Sequence, residues 1–186
     1  MNEGMSPMID PICFGVDARG VVVELSITWT KDPKFSADAP TFGANFVGTL
    51  LADHIAGQPT RDLVAKLIDA VKMSGKVLTL PYRCDTPCAK RVLEMRIAPR
   101  STWGVTIGHR QIAEQPLPEA LRFQTVCTPD NLRCSFCNRI EHDGSWVDTY
   151  KAQKLGLLSS TSNYPISYTV CGDCDGRAQT AIRRCA

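Results

Sequence analysis

Two short sulfur motifs constrain this chain more than any other feature: Cys134-Ser135-Phe136-Cys137 and Cys171-Gly172-Asp173-Cys174. In a C-x-x-C, one tight turn brings two thiolates to a point and its backbone N–H groups offset their charge. Two such knuckles complete a tetrahedral sulfur site. The knuckles are separated by 33 residues, a gap that a folded insert closes. Zinc is the commoner occupant of a closed four-cysteine site, and an iron–sulfur cluster takes the same ligands. The spacing therefore predicts Zn2+ on Cys134, Cys137, Cys171 and Cys174, with an iron–sulfur cluster as the alternative. A redox-active dithiol calls for one such pair at the start of a helix after a strand, not for two.

The remaining cysteines do not suggest disulfides. Of the nine in the chain, Cys13, Cys84, Cys88, Cys127 and Cys185 are left over, an odd number. The first residues, Met1-Asn2-Glu3-Gly4, lack the basic and apolar regions of a signal peptide, and no run reaches the roughly 18 apolar residues of a membrane span. A cytoplasmic location is expected, where thiols stay reduced and serve metals. The 21 basic and 19 acidic residues give a net charge of +2, with 13 of each sign up to residue 120 and 8 basic against 6 acidic beyond it. Neither part carries the basic field of a nucleic-acid binder.

Along the chain, Ile12 to Val16 and Val21 to Leu25, the latter continuing toward Trp29, read as a hairpin around Asp17-Ala18-Arg19-Gly20. Phe42, Phe46, Val47, Leu50, Leu51 and Ile55 recur at helical intervals and predict a short broken helical region. Thr60 is placed to cap the longest helix, whose apolar face is Leu63, Val64, Leu67, Ile68 and Val71 and which Gly75 ends. Three strands are expected at Lys76–Arg83, Arg91–Ala98 and Thr102–Gly108; in the second, Leu93, Met95 and Ile97 alternate with Glu94 and Arg96. Between the knuckles, Asp148 to Leu158 is mildly helical. The fold class is α+β: a five-stranded antiparallel sheet with helices on one face, followed by a small four-cysteine module.

That order of elements resembles the PAS domain, a sensory scaffold of bacterial signalling proteins. The stretch Tyr82-Arg83-Cys84-Asp85-Thr86-Pro87, with Arg91, Glu94-Met95 and Ile97-Ala98-Pro99, resembles a bacterial PAS-like family carrying an F-R-C-D-S-P motif and a C-x-x-C tail; Cys88 has no counterpart there. Cys134, Cys137, Arg139, Ile140, Trp146, Tyr150, Cys171, Asp173 and Cys174 are similar to the tail of such sensors, except that Tyr168 stands where that family has histidine. The resemblance implies a PAS-like domain over residues 10–110, a connector over 111–130 and a zinc-binding module over 131–180. It also implies space for a small-molecule ligand between helices and sheet, lined by Trp29, Phe42, Phe46 and Trp103, unless those rings fill it.

No catalytic arrangement is visible. His54, His109 and His142 are scattered, the carboxylates Asp85, Glu94 and Asp173 form no acid/base pair, and no glycine-rich phosphate loop is present. Cys84 and Cys88 fit an ordinary turn at a strand end, and Cys127 fits an alternate ligand or a buried spacer. The expected function is a non-enzymatic regulatory module that docks on a protein partner or on a second copy and carries a structural zinc. The alternatives are a thiol redox sensor that releases zinc on oxidation and a nucleic-acid-binding regulator that uses the zinc module.

Overall fold

Period-two alternation dictates the first sheet. In β4 (Ala89–Pro99), Leu93, Met95 and Ile97 are buried while Arg96 is exposed and Glu94 half-buried on the opposite side. One face is thus committed to a core and the other to water. The same parity buries Leu78 and Leu80 of β3 (Leu78–Arg83), Val105 and Ile107 of β5 (Val105–Pro116), and Phe14 and Val16 of β1 (Ile12–Val16). The structure is a computed structural model that describes residues 12–26, 46–100, 104–117, 119–126, 131–158 and 163–186. Trp29, Phe42, Trp103 and Cys127 lie outside the described residues.

With β2 (Val22–Leu25), these strands form a five-stranded antiparallel sheet in the order β2-β1-β5-β4-β3. The first and last strands meet at its centre, Phe14 opposite Ile107. The expected strands at 76–83 and 91–98 form with small shifts at their ends. The third differs: β5 runs past Gly108 to Pro116, through residues read from the sequence as the start of a connector. It continues because it stays paired with β4, as far as Ala89 opposite Pro116. In place of the broken helical region expected from Phe42 to Ile55, the described residues hold one 3-10 turn, Leu51–His54.

Helix α1 (Gln58–Ser74) covers the apolar face of this sheet. Leu63, Leu67, Ile68 and Val71 join Phe14, Leu80, Met95, Ile97 and Ile107 in one buried cluster, as an amphipathic stripe should. Gly75, at φ 68°, ends the helix in the left-handed region. Its start differs from expectation. Gly57 is the capping residue, Pro59 lies in the first turn, and Thr60 is buried with its hydroxyl bonded elsewhere. Gly57 has φ 83°, and a side chain there would strike the Tyr168 carbonyl, so α1 begins hard against the cysteine-bearing part of the chain.

That part forms a second sheet, in the order β6-β10-β7-β8-β9. The strands are β6 (Arg122–Thr125), β7 (Leu132–Cys134), β8 (Ile140–His142), β9 (Ser145–Val147) and β10 (Asn163–Thr169). Strand β10 runs parallel to both β6 and β7, while β7, β8 and β9 form an antiparallel meander. Helix α2 (Thr149–Lys154) starts where the Asp148 carboxylate accepts the N–H groups of Tyr150 and Lys151. Helix α3 (Gly172–Cys185) closes the chain against α1 and β3. One apolar cluster therefore includes Cys134, Phe136, Cys171 and Cys174 together with Leu63, Leu67 and Leu78. A smaller one gathers Leu121, Ile140, Ala152 and Leu158. Among the described residues, no helix is long and apolar enough to cross a membrane.

Candidate metal centre

The two knuckles reach one point by different routes. The first is the turn between β7 and β8, which closes because Asn138 takes a positive φ of 57° and donates its N–H to the Cys134 carbonyl at 2.9 Å. Asparagine tolerates that conformation better than most residues. The second knuckle is the start of α3: Cys171 is the N-cap and Cys174 lies in the first turn. Free N–H groups and the positive end of the helix dipole favour thiolates there. The parallel pairing of β10 with β7, Thr169 opposite Cys134, carries the second knuckle to the first.

The sulfur atoms of Cys134, Cys137, Cys171 and Cys174 all lie within 4.8 Å of one another. Cys137 Sγ and Cys171 Sγ are 3.7 Å apart. A tetrahedral ion with metal–sulfur bonds of about 2.3 Å has an edge of about 3.8 Å, whereas a disulfide needs about 2.05 Å. The donor set therefore fits a single tetrahedral metal ion. Three of the four cysteines are buried and Cys137 is half-buried.

The surroundings suit a site of net negative charge. The Arg139 guanidinium donates to Cys137 Sγ at 3.2 Å, to Cys171 Sγ at 3.5 Å and to Asp173 at 2.7 Å. Arg177 donates to Cys174 Sγ at 2.9 Å, and the Cys171 N–H points at Cys134 Sγ at 3.4 Å. Four thiolates around a divalent ion leave two negative charges, and two guanidiniums stand against them. Thiols this close share protons. Hydrogen bonding with Cys134, then with Cys174, holds Cys137 far below its ordinary pKa, and contacts with Cys134 and then Cys137 push Cys174 far above. A divalent cation takes over what those protons do. Arg139 was part of the sequence motif; Arg177 had no sequence signal beyond lying three residues after Cys174, one helical turn on.

The other described cysteines stand apart from this cluster. Cys84 and Cys88 are exposed at the turn after β3, and Cys185 is buried at the end of α3, 3.1 Å from the Ser74 hydroxyl. His142 is exposed on the β8–β9 hairpin beside Asp143.

A second feature adjoins the centre. Between the first sheet and the start of α1 lies a cavity of about 300 Å³. Phe46, one of four residues expected to line such a space, does so. The sequence reading missed Tyr82 and His109, which hydrogen-bond at 2.9 Å in its wall. Strand parity was the available signal, since Tyr82 follows Leu78 and Leu80 on the inward face and His109 follows Val105 and Ile107. Burial drives the His109 pKa down to about 4 and pushes Tyr82 upward, so both are neutral near pH 7. His54, scattered from His109 along the sequence, lines the same cavity. Compared with known proteins, the chain matches no family model, no curated protein and no solved structure, so its function has to be argued from these sites.

Proposed function

We propose that this chain is a non-enzymatic regulatory module. A zinc ion held by Cys134, Cys137, Cys171 and Cys174 fixes the second sheet and α3 as a surface that docks on a protein partner or on a second copy. The observation that carries the reading is the meeting of four sulfurs within 4.8 Å of one another. That spacing suits one ion rather than a multi-iron cluster, whose cysteines must stand further apart. Four protein ligands complete a tetrahedral sphere and leave no position for an activated water, which favours a structural over a catalytic ion. The antiparallel five-stranded sheet, with α1 on its buried face, supports the PAS-like reading of residues 10–110.

A redox sensor is less well supported. Oxidants reach sulfur through exposed thiolates, and Cys134, Cys171 and Cys174 are buried, which leaves half-buried Cys137 as the one ligand sulfur within their reach. Metal analysis and an absorption spectrum of protein purified under reducing conditions test the proposal. One zinc per chain and no visible band are expected. A visible charge-transfer band would assign iron instead, and purified protein without stoichiometric metal would overturn the reading. Sedimentation of the loaded chain alone then separates self-association from docking on a partner.

A further inference from the structure

The four sulfur ligands are not equivalent. Cys134 ends β7, where β10 pairs beside it and its own N–H donates to the Arg139 carbonyl at 2.8 Å. Cys171 and Cys174 sit at the start of α3, and all three of these residues are buried. Cys137 lies in the turn after β7 and is the one half-buried member. A competing donor from solvent therefore meets the site over Cys137.

The same edge carries the cation best placed to receive a departing sulfur. Arg139 Nε donates to Cys137 Sγ at 3.2 Å, while its Nη2 is anchored on the other knuckle, to Asp173 at 2.7 Å and Cys171 Sγ at 3.5 Å. A metal-bound thiolate shares its charge with the ion, whereas a detached one carries it in full, so a fixed guanidinium favours the detached form more. Anchored in this way, Arg139 keeps a detached Cys137 beside its place. Arg177 stands against Cys174 at 2.9 Å, but Cys174 is only 1% exposed, so no donor from solvent is at hand to replace it.

We propose that metal occupancy is regulated at this edge: an anionic chelating donor displaces Cys137 before any other ligand, and Arg139 is the positioning residue that holds the displaced thiolate. Cys137 gives up its bond to the metal and leaves with the electron pair as a thiolate, which Arg139 receives. The incoming donor supplies the electron pair that replaces it, and no oxidation state changes. The inference rests on the zinc reading above.

Two measurements on the zinc-loaded full chain test it. Limiting iodoacetamide traps a freed thiolate, whose sulfur displaces iodide from carbon, and mass spectrometry locates each labelled cysteine. Cys137 is expected to be labelled ahead of Cys134, Cys171 and Cys174, with exposed Cys84 and Cys88 reporting the rate of thiols that hold no metal. The second measurement is the rate of zinc transfer to an anionic chromophoric chelator, pyridylazoresorcinol. Arg139→Gln should slow it by about tenfold, the worth of a hydrogen bond to a charged group. Arg177→Gln removes the same charge beside a buried sulfur and should not slow it. Damage to the fold would speed release, so slowing reads the role of the guanidinium itself.

Labelling of the four ligands in step, or of a buried one first, would overturn the opening at Cys137. Unchanged or faster transfer from Arg139→Gln would overturn the role of Arg139, and so would equal slowing by both variants, which would reduce it to general attraction of the anion. Purified chain without zinc would overturn the proposed function itself, an outcome seen before either measurement begins.

Discussion

The two sheets are held together by different means. The first has strands of up to 12 residues, one continuous buried face and a 17-residue helix across it. Hydrophobic burial and an uninterrupted antiparallel ladder suffice to hold such a sheet. In the second, three of the five strands are three residues long and the neighbouring apolar cluster is small. Strands this short do not hold a sheet by their own ladder. A metal ion on the four sulfurs would supply what the ladder lacks, and these sulfurs lie in or against the same apolar cluster as α1. On the proposed reading, one part of the chain is stabilised by its pattern and the other by the metal its cysteines hold.

Removing the metal should separate the two most sharply. Chelation, or Cys174→Ser, is expected to cost several kcal/mol, with the roughly 10–16 kcal/mol of structural zinc sites as the upper bound. Amide exchange should accelerate in β7 to β10 and the start of α3, while β3, β4 and β5 keep their protection. Simultaneous loss of protection in both sheets would show a single cooperative unit and end the distinction. The converse perturbation is Leu67→Ala at a fully buried position of α1. A cost of about 2–5 kcal/mol is expected by thermal or urea unfolding, with zinc still bound. Zinc lost in step with that destabilisation would mean that the site depends on the core as much as on its ligands.

The same contrast governs what could be read from the sequence. Alternation at Leu93, Met95 and Ile97 and the stripe from Leu63 to Val71 reveal strand and helix because each residue repeats one environment. The cysteines reveal a site because their spacing is that of a turn. The three-residue strands around them have no period to read: Leu132-Arg133-Cys134 is a strand only because β10 and β8 lie on either side of it. Helix α3 was missed for a related reason. Its exposed side is rich in Arg and Asp, and its buried side is made by Cys174, Ala178 and Cys185 rather than by large aliphatic residues. The β5 extension was hidden by polar Gln111, Glu114 and Gln115, which suit an exposed strand end as well as a linker.

A third prediction concerns pH. The unfolded chain protonates His109 near 6.5, whereas the folded protein resists until about 4, because burial disfavours the imidazolium. The folded state therefore binds fewer protons between these values. Stability from this group is fully present above pH 6.5 and is lost as pH falls toward 4, by about 3 kcal/mol at most. His109→Phe should flatten the wild-type slope between pH 7 and 5. An imidazole resonance in the folded protein that titrates near 6.5 would contradict the buried neutral state.

The smallest effect is expected where the two sheets are joined by charge. Asp148 caps α2, and its carboxylate also meets Arg83 of β3 at 2.6 Å and Lys90 of β4 at 2.7 Å. Arg83 in turn pairs with Asp85, so losing Asp148 does not leave its guanidinium without an anion. The carboxylate of Asp148 is about one-third exposed, which lets water screen the pairs. Asp148→Ala should then cost little more than a lost cap, about 1 kcal/mol. Asp148→Asn separates the two roles, since the amide still caps but no longer attracts Arg83 and Lys90. If Asn restores nearly all the stability, the joint between the sheets is the apolar cluster and the charges merely ride on it. If Asn is as damaging as Ala, the ion pairs hold α2 against β3 and β4, and the two regions are joined by electrostatics as well as by burial.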